Sequence, residues 1–566
     1  MHQIMHQIFV RYRAVGEPGY PAFTARNYQA LSLEKFRAAE IPEGFAETPV
    51  PATGATLAQA VYLSGKFQTP ALCSGIGRCG LCRVRFISEP PAPAEAEKTV
   101  LSHHDLDAGW RLACRHAPAP GMRVLIPAAP VETESPAENS AELAESAELG
   151  AAPACLAVDL GTTSIHWQFV SPEPGNDTLP HGITTNPQMG AGSDVISRLA
   201  YASIDDGAAV LCRLTVQTLQ RIIREGERQG LKTRALCVAA NPAMSAILFG
   251  QNTRQLSRAP YALPDRGDTT ETVPGLPPVY TPPHVSPFVG ADISAGYAAI
   301  ALAPAKAAPE FPFLLADLGT NGECILALAP DTAFAASLPM GPALEGVNLA
   351  YGSQAVPGAV TEYSLTPYGL EPKILGGTTP AGITATGYLS LLRILRASNL
   401  LDENGLFIRP QNTLGERLGG SHADSHSDSH NGGEPFIRLP GKMVLFASDV
   451  EEILKVKAAF TLAVSRLLAA AALNAADLNR VYLAGALGEH IPVTALVELG
   501  FLPTVLGSRV TAAGNTALEG AALLLRNEPL RTPLAAWARR VASLDLANDP
   551  AFTAAFAEHM TFAWKR

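Results

Sequence analysis

Apolar residues follow two different periods in the first part of the chain. The stretches CRVRFI (82–87) and MRVLIP (122–127) alternate apolar and polar positions, which predicts strands with one buried face. ATLAQAVYLSG (55–65) instead repeats its apolar residues at helical spacing. Together these elements predict a small mixed α and β domain over residues 1–127.

An acidic segment interrupts this pattern. Residues 131–150, VETESPAENSAELAESAELG, are rich in glutamate and contain no aromatic or basic residue. Such a composition cannot bury a core. We therefore predict a flexible linker over 128–153 that joins two folded parts of the chain.

From residue 154 to the C-terminus, apolar strands alternate with helical segments, the pattern of a large α/β protein. Residues 418–436 break the alternation with His422, His426 and His430 at every fourth position. On a helix these imidazoles would share one face and could bind a metal. The density of Ser, Asp and Gly favours a low-complexity loop instead.

Composition excludes several classes of function. The 566 residues are 47% hydrophobic and 17% charged with a net charge of −10, so ample core material is present and a basic field for nucleic acid or anionic lipid is missing. No apolar run reaches the length of a membrane span, and the first residues lack the features of a secretory signal. We expect a cytoplasmic protein without nucleic-acid or membrane partners.

Three cysteines lie within ten residues of the stretch LCSGIGRCGLCRVRF (72–86), with a fourth at 114, in the spacing C-x5-C-x2-C-x31-C. Thiolates on a glycine-rich loop suit an iron–sulfur cluster, because the loop must wrap the cluster closely. Structural zinc usually uses two C-x2-C pairs, and this pattern has one stretched pair and a lone cysteine. Zinc and disulfides remain the alternatives.

Residues 45–127 resemble the [2Fe–2S] ferredoxin domain, and the x5 spacing is closer to its adrenodoxin-like branch. The resemblance implies that Cys73, Cys79, Cys82 and Cys114 are the cluster ligands. The other cysteines, at 155, 212, 237 and 324, are then ordinary small residues of the core.

Two similar stretches follow the linker, LAVDLGTTSIHWQFV (156–170) and LLADLGTNGECILAL (314–328). Each predicts a β-hairpin whose turn offers backbone N–H groups and a Thr hydroxyl to phosphate, while the Asp can hold Mg²⁺ directly or through water. A plain structural hairpin is the alternative for either copy. The candidate nucleotide-binding residues of the two copies are Asp159, Gly161, Thr162, Thr163, Asp317, Gly319, Thr320, Asn321 and Gly322.

A duplicated hairpin of this kind resembles the actin, sugar kinase and Hsp70 superfold, in which two related domains close on ATP. NRVYLAGALGEHI (479–491) has the form of the late strand and turn that face adenosine in that fold, with Gly485 and Gly488 in the turn. SLPMGPALEGVNLAYG (337–352) predicts a helix start at Gly341 with Glu345 one turn in. We divide the region into a first hairpin domain, 154–235, and a nucleotide-binding domain, 236–566.

Two residues are candidate catalytic groups. Glu323 follows the turn of the second hairpin, and Lys457 lies on the apolar stripe of a predicted helix near 448–473. That helix is expected to begin with a capping box from Ser448 to Glu451. A lysine on such a stripe either extends from its edge to solvent or points into the nucleotide cleft.

The order of ferredoxin domain, linker and actin-like region resembles the reductive activators of corrinoid-dependent methyltransferases. The implied fold is a β-grasp ferredoxin domain of the α+β class followed by a duplicated α/β nucleotide-binding fold of the actin/Hsp70 (ASKHA) type. Further matching stretches are NPQMGAGSDVISRLAYA (186–202), ANPAMSAILFG (240–250), PFVGADISAG (287–296), MGPALEG (340–346) and GNTALEGAALLL (514–525).

This resemblance implies an ATP-dependent reductase that passes single electrons to a Co(II) corrinoid protein, or to a corrinoid-dependent methyltransferase, and regenerates Co(I). Its cofactors would be a [2Fe–2S] cluster and Mg-ATP, with a low-potential donor as second partner; a homodimer is compatible with this interpretation. Two departures affect the nucleotide site: Ala486 replaces an expected glycine, and AGITATG (381–387) replaces an expected glycine-rich turn. The alternatives are a redox-gated nucleotide-binding sensor and a small-molecule kinase with a ferredoxin domain.

Overall fold

The computed structural model describes most of the chain as three layered units. The described residues are 46–49, 56–67, 69, 72, 75–77, 80–87, 89–119, 122–126, 151–172, 179–304, 308–319, 321–346, 348–408, 419–420 and 435–565. Several predictions fall outside them: the ligands Cys73 and Cys79, Thr320, the linker up to Gly150, and the histidines of the insertion.

The N-terminal unit is a four-stranded sheet in the order β1-β4-β2-β3 covered by short helices. Its strands are β1 (Ala46–Pro49), β2 (Arg83–Phe86), β3 (Trp110–Leu112) and β4 (Arg123–Ile126). Its helices are α1 (Leu57–Tyr62), α2 (Glu95–Val100) and α3 (His103–Asp107), with a 3-10 turn at Ala113–Arg115. The alternation predicted for β2 is present, but that predicted for β4 is wrong, because Val124, Leu125 and Ile126 are all buried.

The middle unit is a six-stranded sheet in the order β7-β6-β5-β8-β10-β9. Its strands are β5 (Ala152–Leu160), β6 (Ser164–Val170), β7 (His181–Thr185), β8 (Leu231–Ala240), β9 (Thr269–Glu271) and β10 (Val279–Thr281). A 3-10 turn at Pro187–Ala191 precedes helices α4 (Val195–Ala202), α5 (Gly207–Arg228), α6 (Pro242–Leu248) and α7 (Arg254–Ser257).

The predicted domain boundary between residues 235 and 236 is wrong. It falls inside β8, which pairs in parallel with both β5 and β10, so the same sheet continues to Thr281. A boundary at this point would divide a continuous strand and leave two ladders unpaired. The predicted linker also ends too late, because β5 begins at Ala152.

The C-terminal unit contains a second six-stranded sheet, in the order β21-β20-β11-β12-β13-β22. The strands of this sheet are β11 (Phe313–Leu318), β12 (Asn321–Ala329), β13 (Thr332–Pro339), β20 (Arg480–Ala484), β21 (Val510–Gly514) and β22 (Ala542–Ser543). Two three-stranded sheets are inserted: β14 (Ala359–Thr366), β15 (Gly369–Ile374) and β16 (Gly382–Ile383), then β17 (Gly419–Gly420), β18 (Phe436–Arg438) and β19 (Val444–Phe446).

Helices cover the C-terminal sheet and connect it to the middle unit. They are α8 (Ala291–Tyr297), continued by a π-helical turn at Ala298–Leu302, α9 (Ala385–Ala397), α10 (Ala447–Ala470), α11 (Gly485–His490), α12 (Val493–Glu498), α13 (Thr516–Arg526), α14 (Arg531–Ala538) and α15 (Phe552–His559). Short 3-10 turns lie at Pro342–Glu345, Pro440–Lys442, Ala475–Asp477, Thr504–Arg509, Glu528–Leu530 and Leu546–Asn548. No helix in these described segments is long and apolar enough to cross a bilayer.

Helices α8 and α13 hold the two large sheets together. One buried cluster takes residues from both, including Ala157 and Cys237 of the middle unit and Leu315 of the C-terminal unit. The helices approach so closely that a Cβ at Gly520 would lie 1.9 Å from the carbonyl oxygen of Ala295. A larger side chain at 520 would therefore force the two units apart.

Lys457 does not point into a nucleotide cleft, so that prediction is wrong. The residue is fully buried on α10, and its ammonium donates to the carbonyl oxygens of His559 (3.2 Å) and Ala563 (2.5 Å). The predicted capping box is also displaced: α10 begins at Ala447, and the carboxylate of Asp449 accepts from the N–H of Phe446 at 3.0 Å. Lys457 thus ties the C-terminal segment to α10.

This placement predicts that Lys457→Met affects stability and leaves nucleotide binding unchanged. Two carbonyls would lose their donor inside the protein, which typically costs ~1–3 kcal/mol. Urea unfolding measures this loss, and calorimetry measures Mg-ATP binding. The control is Lys373→Met on β15, which removes an exposed contact to Glu362 at 3.6 Å and should cost ~0–1 kcal/mol. A tenfold loss of Mg-ATP affinity in Lys457→Met would contradict the assignment.

Candidate functional site

The loop that carries the predicted cluster ligands is built from glycines in left-handed conformations. Gly75, Gly77 and Gly80 have φ values of +82°, +85° and +67°, which side chains rarely adopt. A Cβ at Gly77 would lie 2.9 Å from Cδ of Arg115. The Arg115 guanidinium in turn donates to the carbonyl oxygen of Gly75 at 3.2 Å. The described part of the loop is therefore packed closely against Arg115.

Strand pairing brings two of the predicted ligands together. Cys82 directly precedes β2 and Cys114 lies in the turn after β3. The N–H of Ala113 donates to the carbonyl oxygen of Cys82 at 2.9 Å, so the two cysteines lie at the same end of the β2–β3 pair. The Cys114 thiol forms no disulfide.

A buried carboxylate that sequence reasoning missed fixes the strand end beside Cys114. Glu97 is fully buried and accepts from the N–H of Leu112 at 2.5 Å and from Nε2 of His116 at 2.8 Å. Burial alone would raise the pKa of Glu97, but its hydrogen bonds to His116, Leu112 and Ala94 lower that pKa below its usual value. The residue belongs to no motif, and only its contacts reveal its role.

The residues around Cys82 and Cys114 fit an iron–sulfur cluster. They line a cavity of about 300 Å³ together with Gly75 and Arg115. Cysteine sulfurs on a glycine-rich loop, with backbone close by, are what such a cluster requires. Of the remaining cysteines, Cys237 and Cys324 are buried in the cores, and burial raises the pKa of the Cys237 thiol to about 12.

The first Asp-Gly-Thr stretch forms the predicted hairpin between β5 and β6. Asp159 pairs with His166 and Leu160 with Ile165, and residues 161–163 make the turn. A Cβ at Gly161 would lie 2.7 Å from the carbonyl oxygen of Ser164, so the turn needs a glycine there.

The second stretch forms the predicted hairpin between β11 and β12. Asp317 lies directly opposite Glu323, and Leu318 opposite Gly322. The N–H of Gly319 donates to the carbonyl oxygen of Asn321 at 3.2 Å, which closes the turn. Directly opposed residues share a face of the sheet, so the two carboxylates project to the same side.

Carboxylates from the middle unit and the C-terminal unit converge in one site. Burial raises the pKa of Asp159 to about 6, against a hydrogen bond from Asn515 that lowers it. Burial and repulsion by Asp159 and Asp292 raise the pKa of Asp317 to about 8. Burial also raises the pKa of Asp292 and of Glu323, and the neighbouring carboxylates add to the rise. Full ionisation of the four groups is therefore unfavourable near neutral pH, and a cation beside them would favour it.

Asp292 and Asn515 were not among the predicted site residues. Asp292 lies in the first turn of α8, and Asn515 precedes α13. Asn515 Nδ2 donates to Oδ2 of Asp159 at 2.7 Å and so bridges the two units. Both residues lie within stretches that carry the family resemblance, PFVGADISAG and GNTALEGAALLL, and a polar residue at a helix start is the sequence signal that marks them.

The late strand and turn reach the same site. The residue after β20, Gly485, has a φ of +83°, and a Cβ there would lie 2.6 Å from Oδ1 of Asp317. Gly322 and Gly488 are close to protein atoms instead: a Cβ would lie 2.3 Å from Sδ of Met340 and 2.8 Å from the carbonyl carbon of Leu483. Gly341, with a φ of +83°, precedes the 3-10 turn that ends at Glu345.

Within the described residues, no three His, Cys, Asp or Glu side chains are arranged to hold a metal ion by themselves. Carboxylate oxygens like those that converge here are ligands of the type that Mg²⁺ takes. Mg²⁺ typically keeps several waters and takes one or two carboxylates together with phosphate oxygens.

Family models match three consecutive parts of the chain. A 2Fe-2S iron-sulfur cluster binding domain matches residues 42–119, the RACo middle region matches 154–304, and the C-terminal ASKHA domain of RACo matches 312–566. The chain belongs to the RACo family. The expected order of a ferredoxin domain and an ASKHA fold is confirmed.

Two relatives and one solved structure extend over most of the chain. The corrinoid activation enzyme RamQ of Eubacterium limosum is 27% identical over 429 residues, covering 72% of this chain and 70% of the relative. The [Co(II) methylated amine-specific corrinoid protein] reductase of Methanosarcina barkeri is 24% identical over 408 residues, covering 64% and 68%. A structure of a reductive activator for corrinoid,iron-sulfur protein shares the fold at 21% identity, with a TM-score of 0.61 over 90% of this chain and 95% of that one.

The arrangement at the cysteines predicts that Cys114→Ser loses iron. A serine hydroxyl is a poor substitute for a thiolate ligand, so we expect well under half of the wild-type iron and sulfide. The matched control is Cys212→Ser, whose half-buried Sγ donates to the carbonyl oxygen of Leu248 at 3.3 Å, a contact that serine can keep. Iron analysis of anaerobically prepared protein decides, and stoichiometric zinc would contradict the cluster.

The raised carboxyl pKa values predict a stability that falls as pH rises. Between the usual Asp value of 3.8 and the folded values of about 6 for Asp159 and about 8 for Asp317, the folded chain keeps protons that the unfolded chain has released, so rising pH favours unfolding. Without divalent ions, urea unfolding from pH 5 to 8 should show this decline. Asp317→Asn should flatten its upper part.

The control removes the same charge from an exposed turn. Asp331 lies between β12 and β13. The variant Asp331→Asn is expected to show the same decline of stability with rising pH as the wild type. If the unfolding free energy has the same slope against pH in the wild type and in Asp317→Asn, the proposed carboxylate repulsion is contradicted.

Proposed function

We propose that this chain is an ATP-dependent reductive activator, which passes single electrons from a [2Fe–2S] cluster to a Co(II) corrinoid protein and so regenerates Co(I). One observation carries the proposal. Each lobe contributes a hairpin carboxylate to a single buried group, and Asn515 bridges the lobes at that point. A nucleotide with its Mg²⁺ would relieve the repulsion only when both lobes engage it.

The roles of the nucleotide-site residues follow from their positions. Asp159 and Asp317 would hold Mg²⁺ directly or through water, and the backbone around Gly161–Thr163 and Gly319–Gly322 would bind phosphate. Gly485 leaves room beside Asp317, while Gly488 and Gly341 shape the surrounding turns. Glu323, 7% exposed opposite Asp317, is the candidate base that orients a water, and Glu345 lies at the end of the turn after Gly341.

The cluster supplies one electron at a time when bound by Cys73, Cys79, Cys82 and Cys114. Plant-type clusters have potentials of about −400 mV, and the cobalt of a Co(II) corrinoid is harder to reduce. Each ~100 mV of shortfall corresponds to ~2.3 kcal/mol per electron. ATP binding or hydrolysis can supply free energy of this size if lobe closure favours a complex in which cobalt is easier to reduce.

The names of the relatives support a corrinoid protein as the partner. Two act in corrinoid activation or reduction by their names, so the partner proposed here is a corrinoid protein or a corrinoid-dependent methyltransferase. A low-potential donor must recharge the cluster, and a cytoplasmic location suits free thiols. A homodimer is part of the proposal that gel filtration tests.

The experiment combines the chain with a low-potential donor, Mg-ATP and a Co(II) corrinoid protein, and follows Co(I) by its absorption spectrum. Asp317→Asn should keep its cluster, bind Mg-ATP at least tenfold more weakly, and leave cobalt largely oxidised, because a lost charge-assisted contact typically costs ~1.5–3 kcal/mol. Calorimetry measures the affinity. Asp331→Asn is the matched control.

Two outcomes would contradict the proposal. Co(I) that forms equally fast without ATP removes the need for the nucleotide site. If nucleotide binding and the redox state of the cluster affect each other but no cobalt is reduced, the result would favour the redox-gated sensor instead.

A further inference from the structure

The cavity at the cysteines has a second wall that belongs to the middle unit. Cys82, Cys114 and Gly75 face Met189, Gly190, Ala191 and Gly192 across it. These middle-unit residues form the end of one segment, 186–192, which includes the 3-10 turn at Pro187–Ala191. We call residues 186–192 the wall segment.

The ferredoxin domain packs directly on the backbone of the wall segment. A Cβ at Gly190 would lie 2.9 Å from Cδ2 of Leu63 and 3.1 Å from Cβ of Tyr62, at the end of α1. Tyr62 and Leu63 are 1% and 5% exposed, and Leu63 is part of the hydrophobic core of the middle unit. Contacts this close transmit a displacement of either partner to the other.

The other end of the wall segment is hydrogen-bonded to the first phosphate hairpin. The N–H of Asn186 donates to the carbonyl oxygen of Thr163 at 2.9 Å, and its Nδ2 donates to the carbonyl oxygen of Gly161 at 2.7 Å. These carbonyls belong to the turn that is proposed to bind phosphate. The wall segment therefore contacts the hairpin at one end and the cluster cavity at the other.

Arg198 joins the two ends through a single buried guanidinium. The side chain is fully buried on α4. Its Nη2 donates to the carbonyl oxygen of Thr162, and its Nε donates to the carbonyl oxygen of Gly192 at 3.1 Å. The planar guanidinium fixes both carbonyls in one plane, so a rotation of the hairpin turn must move Gly192 or break a buried hydrogen bond.

We propose that the wall segment, with Arg198 as its positioning residue, couples nucleotide occupancy at the first hairpin to the environment of the cluster. This inference rests on the proposed function, because it needs both a cluster and a nucleotide. To the proposed function the inference adds a path of direct contacts. The path runs from Gly161–Thr163 through Arg198 and residues 186–192 to the cavity beside Cys82 and Cys114. The coupling does not depend on the corrinoid partner.

Coupling between two bound groups is reciprocal. If the nucleotide changes the cluster environment, then its affinity must differ between the oxidised and the reduced chain. We expect a difference of about tenfold, within the range usual for coupled sites. A tenfold ratio corresponds to a midpoint-potential shift of about 59 mV for a one-electron couple.

The test uses the full chain with its cluster and the Mg²⁺ complex of the β,γ-imido analogue of ATP. Redox titration followed by EPR gives the midpoint potential with and without the analogue, and anaerobic calorimetry gives the affinity of the oxidised and reduced chain. Wild type should show a tenfold affinity ratio by calorimetry and the corresponding shift in midpoint potential, about 59 mV, by redox titration. Arg198→Met should reduce the ratio to about twofold or less, and Arg198→Lys should restore part of it, because an ammonium can still donate to one carbonyl.

A second variant interrupts the path at its other end. Leu63→Ala removes the contact to Gly190 without touching the hairpin, so the affinity of the oxidised chain should stay at the wild-type value while the ratio falls. The matched control is Arg111→Met. Arg111 is also buried and donates to the carbonyls of Pro91, Leu106 and Trp110 at 2.7, 2.9 and 2.7 Å, but these contacts lie within the ferredoxin domain, so the ratio should persist.

The outcomes separate this inference from the proposed function. If wild type binds the analogue and forms Co(I) only with ATP, but shows equal affinity in both redox states, the coupling is overturned and the proposed function stands. A full ratio in Leu63→Ala also overturns the coupling, and this variant decides the matter if Arg198→Met does not fold. Failure of wild type to bind the analogue overturns both.

Discussion

Mutual repulsion among converging carboxylates is the constraint on which the site between the two large sheets depends. Asp159 comes from the middle unit, Asp317 and Glu323 from the C-terminal unit, and Asp292 from the helix between them. Glu323 is buried and the three aspartates are only partly exposed, so desolvation and mutual repulsion raise the pKa values of Asp317 and Glu323. A cation that entered with a polyphosphate, as proposed here, would remove this cost and give the two units a shared ligand.

The close helix pair behind the carboxylates connects their site to the packing of the two large sheets. Helices α8 and α13 meet at Gly520, where even a methyl group would overlap the carbonyl of Ala295. Asp292 stands at the start of one helix and Asn515 at the start of the other. A change in charge at the site therefore acts on the two elements that set the relative position of the sheets, rather than on a surface loop.

Much of the site was predictable because short-range chemistry encodes it. The hairpins need glycine and Asp in a fixed spacing, and the cluster loop needs glycines between its cysteines, so both are visible in sequence. Glu97, Asn515 and Arg198 act through contacts with residues 15, 356 and 36 positions away, and no local pattern records such pairs. Lys457 shows the converse: its position on an apolar stripe suited a cleft, but the C-terminal segment supplied nearer carbonyls. The false boundary at 235 arose because a long buried strand has no internal turn signal.

The two departures from the expected nucleotide motif have a physical explanation in the backbone. The position that requires a left-handed glycine is Gly485, which the chain retains beside Asp317. Ala486 lies within α11, where alanine is the most favourable residue and a glycine would only add conformational freedom. In AGITATG, Thr384 caps α9 by accepting from the N–H of Gly387 at 3.2 Å, which satisfies a helix start without a glycine-rich turn. Both substitutions therefore fall where the backbone is helical or capped, and the glycine that the carboxylate site needs is the one that remains.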